Sequence, residues 1–419
     1  MSTQVTMAVL GAGSRGCAYA KFSELFPERL KIYAVAEPDK FRRETFAKKY
    51  NIPAERCFES WTDFVKQPKM CDSVAICTQD NMHEAPAIAC ADLKYDILLE
   101  KPIAPEPQAC QNIVDAVKRN NILFAVCHVL RYTQYTLKLK ELLESGVIGE
   151  IISVQHLEPV GYWHQAHSFV RGSWRNEKES SFMLLAKCCH DIDWLRGIIG
   201  KKCKSIHSFG SLRHFRSSEK PTGAASRCCD CPREIESSCP YSAYKIYFRD
   251  RFTRGAEKWP VNVLTPEPTQ ASLAEAIKNG PYGRCVYECD NDVVDNQVVN
   301  MTFEDGSTAS MTMTAFTPHS GRLTRIFGTK GMIDTDSSVI KITDFLHDTT
   351  KEIDTNVNND GGILSGHGGG DYGIMDAFVK AVAERNPEYI LSGVDESLES
   401  HLMVFAAEES RVKHKVSDL

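Results

Sequence analysis

Residues 5–16 read VTMAVLGAGSRG, and this stretch decides the fold of the first part of the chain. Six residues with the composition of a buried strand run directly into the pattern Gly11-x-Gly13-x-x-Gly16, which opens a helix. In such a turn the first glycine permits the tight bend, the second lets the backbone approach a pyrophosphate, and the third allows helix and strand to pack closely. The helix N-terminus adds N–H donors and the positive end of a dipole. The stretch therefore predicts a dinucleotide-binding βαβ unit.

The next predicted strand supplies a second signal, since the glycine pattern alone also fits a glycine-rich surface turn. That strand, residues 30–36, ends at Glu37, about twenty residues after the glycines. A carboxylate at this position accepts hydrogen bonds from both ribose hydroxyls and repels a 2′-phosphate. We therefore expect NAD rather than NADP as the cofactor, although Arg15, Arg42 and Arg43 are near enough in sequence to weaken that preference.

The pattern of predicted strands and helices differs between the first and second parts of the chain. Strands alternate with helices as far as residue 126, which predicts a parallel sheet built from βαβ units. Beyond residue 149 strands dominate and helices are few, which predicts a large, mostly antiparallel sheet with helices on one face. The expected α/β architecture is an N-terminal Rossmann domain (1–126), a second α/β domain with a large open sheet (127–395) and a C-terminal helix packing back on the core (396–419). The predicted strands cover 5–10, 30–36, 73–77, 96–99, 123–126, 151–156, 204–210, 292–302, 307–314, 322–328 and 331–334, and the predicted helices include 42–49, 107–120, 138–145, 182–199, 371–384 and 396–412.

Composition excludes several classes of protein. The chain has 419 residues, of which 42% are hydrophobic and 25% charged, so it is neither a single small module nor a disordered chain. Its formal charge of −6 argues against a nucleic acid or an anionic membrane as a partner. The N-terminus lacks the features of a signal peptide, and no apolar run is long enough to span a bilayer. We therefore expect a cytoplasmic protein whose cysteines are mostly reduced.

A cysteine cluster lies in an irregular segment, residues 217–283, that shows little periodicity. Cys228-x-x-Cys231 has the spacing of metal ligands, and Cys239 is a plausible third thiolate. A structural zinc ion would explain how a segment without a core of its own stays ordered. The alternatives are cysteines that simply pack or a redox-active pair. The candidates for a fourth ligand are Cys229, His207 and His214.

Polar residues also follow two further predicted strands. Thr78 to His83 leave the strand 73–77, and Glu100-Lys101-Pro102 leave the strand 96–99. Ligands of open α/β sheets bind beside such strand ends. Taken with the glycine pattern and Glu37, these motifs resemble the Gfo/Idh/MocA family of the glucose–fructose oxidoreductase and inositol dehydrogenase type, over essentially the whole chain. The residues predicted to bind NAD are Gly11, Gly13, Ser14, Arg15, Gly16, Glu37, Thr78, Asp80, His83, Glu100, Lys101 and Arg131.

The resemblance implies a sugar or polyol site in the cleft between the two domains. Lys101 matches the family lysine near the nicotinamide and the substrate hydroxyl, and His190 matches the helix histidine that is the usual acid/base candidate. The family commonly has an aspartate four residues before that histidine, whereas this chain has Ala186, followed by Lys187. Our hypothesis is that Lys101 and His190 share the proton work and that Lys187 adds positive charge towards an alkoxide or an acidic substrate group.

The segment from Gly161 to Arg175 is rich in residue types that contact sugars. Aromatic rings pack against the apolar faces of sugar rings, and His and Arg bind hydroxyl or carboxylate oxygens. An aromatic-stabilised loop is the alternative. His367 can point into the same cleft, whereas Asp371 is expected to cap the following helix. The residues predicted to bind substrate are Lys101, His128, Tyr162, Trp163, His164, His167, Arg171, Trp174, His190 and His367.

Three functions remain open from the sequence. The leading prediction is an NAD-dependent dehydrogenase acting on a secondary hydroxyl of a sugar, sugar derivative or polyol. The alternative is a glycoside hydrolase or epimerase that holds NAD tightly and works through transient oxidation and elimination. A regulatory protein that only binds NAD would be expected to lack catalytic groups, and Lys101 and His190 are present. The resemblance also implies a homodimer or homotetramer.

Overall fold

The computed structural model describes residues 4–318, 321–355 and 366–419. Within these ranges the chain forms two β-sheets, one of six strands and one of nine. No helix of the described ranges combines the length and apolarity needed to cross a membrane.

The first sheet is entirely parallel and contains the glycine turn. Its strand order is β3-β2-β1-β4-β5-β6. Those strands are β1 (Val5–Leu10), β2 (Leu30–Ala36), β3 (Cys57–Phe58), β4 (Ser73–Ile76), β5 (Asp96–Leu99) and β6 (Phe124–Val126), all paired in parallel. The helices in this part are α1 (Ser14–Ala20), α2 (Phe22–Leu25), α3 (Lys40–Tyr50), α4 (Trp61–Val65), α5 (Glu84–Asp92) and α6 (Pro107–Asn120). The predicted Rossmann fold is confirmed.

The second sheet is antiparallel except for one pair of strands. Its order is β14-β13-β12-β11-β7-β10-β9-β8-β15, with β7 and β10 the parallel pair. The strands are β7 (Ile151–Pro159), β8 (Cys203–Ser211), β9 (Asn296–Phe303), β10 (Thr308–Thr314), β11 (Leu323–Gly328), β12 (Gly331–Thr335), β13 (Val339–Asp344), β14 (Thr349–Asp354) and β15 (Ser417–Asp418). Buried and exposed residues alternate along β9, as expected where one face covers a core. The predicted large, mostly antiparallel sheet is also confirmed.

Nine further α-helices follow α6 within the described ranges. They are α7 (Gln134–Glu144), α8 (Tyr162–His164), α9 (Met183–Ala186), α10 (Cys189–Ile199), α11 (Arg233–Ser238), α12 (Val261–Leu264), α13 (Gln270–Asn279), α14 (Gly370–Glu384) and α15 (Val394–Lys413). The single helix predicted over 182–199 is wrong, because the chain leaves helical geometry between α9 and α10. In a continuous helix the Ala186 carbonyl would accept the amide of His190. Here that carbonyl accepts a hydrogen bond from the Lys101 ammonium instead.

The C-terminal part of the chain contributes to both cores. Ile374 and Phe378 of α14 are buried in the same cluster as Met7 and Val9 of β1, so α14 covers the first sheet. In α15, Met403 is buried in the core of the second sheet, and other residues of that helix pack against the nucleotide-binding core. The two sheets are thereby tied together behind the cleft.

The irregular segment between residues 217 and 283 contributes to a small buried core. Phe215, Tyr247, Ile277 and Val286 are fully buried together, and Tyr241 joins them. Phe215 and Val286 lie outside the segment, so this core is shared with the rest of the second domain. Aromatic packing holds the segment against the second sheet.

Candidate active site

The glycine turn after β1 has the geometry that a dinucleotide requires. Gly11 has a φ of +96°, and a Cβ there would lie 2.5 Å from the Cys77 carbonyl oxygen. A Cβ on Gly16 would lie 2.1 Å from the Gly11 oxygen, so helix and strand pack too closely for any side chain. By contrast, a Cβ on Gly13 would meet no atom within 4 Å. The open side of the turn is therefore the side on which a pyrophosphate would sit, and the residues fit NAD.

Glu37 closes this turn from the end of β2. Its carboxylate is 5% exposed and accepts hydrogen bonds from the amides of Ala12, at 2.8 Å, and Asp39, at 3.0 Å. The Arg43 guanidinium donates to the Glu37 carbonyl and to the Glu59 carboxylate. A fixed carboxylate beside the ribose position, with Arg43 already paired, favours NAD over NADP.

Arg15 lies in the glycine turn but is held by carboxylates deeper in the cleft. It contacts Glu100 at 2.7 Å and forms two hydrogen bonds to Asp371, at 2.7 and 3.0 Å. Burial acts to raise the pKa of Glu100, but the charges of Arg15 and Lys101 outweigh it and lower that pKa. The cap predicted for Asp371 is wrong: the N-cap of α14 is Gly369, and no side chain caps it, because Asp371 is turned towards Arg15.

Buried histidines hold the two loops that follow β4 and β5. His83 places Nδ1 2.8 Å from the Pro102 carbonyl and Nε2 3.3 Å from the Thr78 carbonyl. His401 of α15 accepts the amide of Ile103 through Nε2 at 2.9 Å. The peptide bond between Lys101 and Pro102 is cis. Sequence reasoning missed His401, which no motif marks and which comes from the far end of the chain.

Lys101 and His190 meet at the start of α10. Lys101 Nζ donates to the Ala186 carbonyl at 2.9 Å, four residues before His190. The imidazole of His190 is buried, and its Nδ1 has no hydrogen-bond partner. Burial, and then the nearby charges of Lys101 and the His128 and His367 rings, lower the pKa of His190 well below its ordinary value. Burial therefore favours the neutral form of the His190 imidazole, whose Nδ1 is left without a hydrogen-bond partner.

The two rings that flank His190 were both predicted to contact substrate. The His128 ring lies 6.0 Å from it, and the exposed ring of His367 lies 6.1 Å away. His367 Nδ1 is 3.0 Å from the Asp371 carboxylate. Burial lowers the pKa of His128 to about 3, and neither of its nitrogens has a hydrogen-bond partner. The rings of His128 and His367 therefore both lie close to the ring of His190.

The Lys187 ammonium belongs to a network of positively and negatively charged side chains. Its ammonium is 3.0 Å from Glu158, and Glu158 is 3.2 Å from Arg322. Arg322 also contacts Asp191, whose other partner is His156 at 2.9 Å. The carboxylate of Asp191 therefore faces Arg322 rather than His190, and the charge of Lys187 is balanced by Glu158.

Arg131 is enclosed within the protein. It forms a two-pronged hydrogen bond to Asp193, at 2.7 and 2.9 Å, and contacts Glu396 at 2.5 Å. Asp193 also lies 3.6 Å from His128. These partners occupy the guanidinium of Arg131, so a direct contact with the cofactor stays a prediction. Among the other predicted residues, Thr78 donates its hydroxyl to the Met82 carbonyl, and one carboxylate oxygen of Asp80 is buried without a partner.

The sugar-binding segment predicted between residues 161 and 175 splits into two groups. Arg171 is fully buried and donates to the carbonyls of Arg284 and Tyr241, so its guanidinium points into the small aromatic core. His167 contacts the Tyr247 hydroxyl at 2.9 Å. The remaining predicted side chains are only partly buried or exposed, and these are Tyr162, Trp163, His164 and Trp174.

The cysteine cluster receives no support as a metal centre. In the part of the chain that the structure describes, which includes Cys228, Cys231 and Cys239, no three His, Cys, Asp or Glu side chains are grouped to hold a metal ion. The sulfur of Cys228 instead accepts hydrogen bonds from Arg171, at 3.6 Å, and from the amide of Ala243, at 3.4 Å. All sixteen cysteines are free thiols. The expectation of zinc lacks its physical reason, because aromatic packing already orders the segment.

Comparison with known protein families gives two matches that together cover most of the chain. Residues 5–128 match a family described as "Oxidoreductase family, NAD-binding Rossmann fold", GFO_IDH_MocA. Residues 140–417 match the companion description, "Oxidoreductase family, C-terminal alpha/beta domain".

Individual relatives are more distant. A 2,7-anhydro-N-acetylneuraminate hydratase of Escherichia coli is 28% identical over 50% of this chain and 54% of that protein. A myo-inositol 2-dehydrogenase of Thermotoga maritima is 22% identical over 49% of this chain and 58% of that protein. The alignments thus span little more than half of these curated relatives. A levoglucosan dehydrogenase solved with NADH and levoglucosan has a TM-score of 0.71 at 20% identity over 99% of both chains, a likeness of fold.

Proposed function

The chain belongs to the Gfo/Idh/MocA oxidoreductase family, and on that premise we propose that it is an NAD-dependent dehydrogenase acting on a secondary hydroxyl of a sugar, sugar derivative or polyol. The turn at Gly11, Gly13 and Gly16 holds the pyrophosphate, and Glu37 binds the adenosine ribose. When bound, NAD⁺ supplies the acceptor for a hydride from the carbinol carbon. Proton transfer and orientation of the substrate are carried out by side chains of the protein itself.

Proton transfer is the work of two residues in this proposal. Lys101 donates a hydrogen bond to the substrate oxygen, and its positive charge stabilises the alkoxide as it forms. His190, held neutral by burial, accepts the hydroxyl proton through a ring nitrogen. The rings of His128 and His367 bound the pocket on either side. Lys187, whose charge Glu158 balances, orients the substrate rather than driving the chemistry.

The observation that carries this proposal is the contact between Lys101 Nζ and the Ala186 carbonyl at 2.9 Å. It brings a lysine from the end of a nucleotide-domain strand against the helix start that bears a buried, neutral histidine. A base and an ammonium beside the carboxyl ends of β4 and β5 are what alcohol oxidation requires.

A panel of sugars and polyols tests this function directly. Purified protein is incubated with NAD⁺ and each compound, and NADH absorbance is recorded alongside chromatography of the sugar. Accumulation of NADH with a matching keto-sugar is the expected result. No NADH and no sugar product with any compound, from protein that binds NAD in calorimetry, contradicts the proposal.

A second candidate reaction is favoured by two observations. One relative bears the name of a hydratase, and Ala186 replaces the aspartate usual in the family. In that reaction oxidation at one carbon acidifies the neighbouring C–H, a C–O bond breaks by elimination, water adds, and the hydride returns to the sugar. Its signature in the same panel is a new sugar product without NADH. A carbohydrate substrate is common to both candidates, and a homo-oligomeric state stays a prediction.

A further inference from the structure

Four aromatic side chains of the second domain lie one after another. We call Trp174, Phe169, His164 and Trp259 the aromatic row. Consecutive ring centroids are separated by 6.4 Å, 5.8 Å and 5.0 Å in that order. The two ends are open to solvent, since Trp174 is 38% exposed and Trp259 is 48% exposed. Between the ends Phe169 is buried and His164 is partly buried, so the ring surfaces open to a ligand are those of the two tryptophans and part of His164.

One end of the row lies at the nucleotide-binding domain. Trp174 lines a cavity of about 210 Å³ together with Gln79, Asp80 and Asn81, which belong to the loop after β4. The same loop ends at His83, which is hydrogen-bonded to the loop that carries Lys101. The row thus begins beside the loops that the proposed function assigns to the cofactor.

The middle of the row lies near the end of β7 that holds Lys187. Glu158 lies near the end of β7, shortly before His164 in the chain, and it contacts the Lys187 ammonium at 3.0 Å. Lys187 directly follows Ala186, whose carbonyl accepts Lys101 Nζ. His164 thus follows the end of β7 at which Lys187 is held, on the same part of the second domain as the segment that accepts Lys101.

The far end of the row comes from the cysteine-bearing segment and is held firmly. Trp259 packs against Trp163 at 5.3 Å and against the edge of His167 at 5.5 Å. His167 is stacked on Tyr282 at 4.8 Å, and the Arg251 guanidinium covers Trp163 at 3.9 Å. An indole that is fixed by its neighbours yet half exposed presents a preformed surface, so a ligand stacking on it loses little entropy on the protein side.

Building on the proposed function, we propose that Trp259 is a specificity-determining residue and that the substrate is a glycoside. The ring that is oxidised lies by Lys101, and a second ring, a sugar or a planar aglycone, stacks on Trp259. The chemistry that recognises it is the apolar face of a ring packed on an indole. The segment between residues 217 and 283 thereby acquires a function, which is to extend the substrate site outward.

Paired glycosides test this inference. The probes are the methyl and the 4-nitrophenyl β-glycosides of glucose, galactose and N-acetylglucosamine, used with wild-type protein, Trp259→Ala, Trp259→Phe and Phe345→Ala. Phe345 is a matched control, because it is an aromatic residue 56% exposed on the turn after β13. Dissociation constants come from calorimetry with NAD⁺ present, and KM values come from product formation.

Trp259→Ala should weaken binding of the nitrophenyl glycoside and raise its KM by about tenfold, the loss of one aromatic stacking contact. Its constants for the methyl glycoside should stay within about twofold of wild type. Trp259→Phe should restore most of the binding, and Phe345→Ala should change neither probe. Equal effects of Trp259→Ala on both probes, or no effect on either, overturn the inference.

The inference and the proposed function can fail separately. Wild-type protein that converts methyl glycosides but binds the nitrophenyl forms no more tightly overturns the role of Trp259 and leaves the dehydrogenase intact. Wild-type protein that converts no probe and no sugar of the panel overturns the proposed function, while the calorimetric difference between the two probes still decides whether a second ring binds.

Discussion

Replacing Lys101 by methionine should remove most of the activity while leaving the fold in place. Acid/base groups contribute about 10²–10⁴ to a rate, which corresponds to about 2.7–5.4 kcal/mol of activation free energy. The structural loss is smaller, because the variant gives up one hydrogen bond from a partly exposed ammonium to the Ala186 carbonyl. Such a bond contributes about 1–2 kcal/mol, against a typical unfolding free energy of about 5–15 kcal/mol.

The same substitution should move the pH dependence in a defined direction. Burial is the main cause of the low pKa of His190, and the charge of Lys101 is the next. Removing that charge raises the pKa of His190, so the pH below which activity falls should move upward. Lys101→Arg keeps the charge but presents it on a larger, planar guanidinium that cannot reproduce the hydrogen bond of the compact ammonium. It should therefore lose rate while its acidic limb stays where the wild-type limb lies.

The assay is the pH profile of kcat and kcat/KM with the best substrate of the panel. Lys31→Met is the control, because Lys31 is an exposed lysine on β2 that takes no part in the site. Circular dichroism and NAD calorimetry establish that each variant is folded and binds the cofactor. The reasoning is refuted if Lys101→Met keeps kcat within about threefold of wild type, or if its acidic limb moves to lower pH.

Three further predictions concern the cofactor and stability. Glu37→Gln removes the charge that repels a 2′-phosphate, so calorimetry should find the preference for NAD over NADP reduced at least about tenfold. An unchanged ratio of the two dissociation constants would show that Glu37 does not set the cofactor preference. Asp371→Asn breaks the pair with Arg15, and urea unfolding at pH 7 should detect a loss of about 2 kcal/mol in the free energy of unfolding. His367 and Arg15 hold the pKa of Asp371 low against the effect of burial, so this stabilisation is present above about pH 4 and is lost below it. A change under about 0.5 kcal/mol at pH 7 would contradict the pairing. Burial lowers the pKa of His128 to about 3, so below about pH 6.5 the unfolded chain binds a proton at this residue that the folded chain does not. The free energy of unfolding should therefore fall by up to about 1.4 kcal/mol per pH unit for this group. His128→Asn should show a shallower fall between pH 6.5 and 4 in the same unfolding assay, and a curve parallel to that of wild type would be the contrary result.

The strands and helices that were predicted best are those whose ends are marked by local sequence signals such as turn residues. β1 and β2 are buried parallel strands, so they appear as apolar runs bounded by turn residues. α6 begins with Pro107 and ends at Asn121 in the left-handed region. β14 was missed because nearly all of its residues are exposed, so the strand has no hydrophobic alternation to detect.

The site could be predicted where it depends on strand ends and not where it depends on packing between distant segments. The glycine turn, Glu37 and Lys101 each follow a strand, and parallel strands bring such residues together. His401 supports the loop after Lys101 from α15, and Trp259 of the irregular segment packs beside His164. No local pattern relates either residue to the site, because only the tertiary fold makes them neighbours.

The central claim is that a hydride passes from a carbinol carbon of a carbohydrate to NAD at the site formed by Lys101 and His190. Ring-deuterated sugars and glycosides are mixed with the protein and NAD⁺ and the reaction is quenched within one turnover, before a hydride can return to the sugar, so that mass spectrometry of the nicotinamide measures that transfer in both candidate reactions. The account predicts deuterium in the nicotinamide with wild-type protein and about 10²-fold less or lower with Lys101→Met. Nicotinamide free of deuterium after incubation with every compound, in wild-type protein that binds NAD, would contradict it.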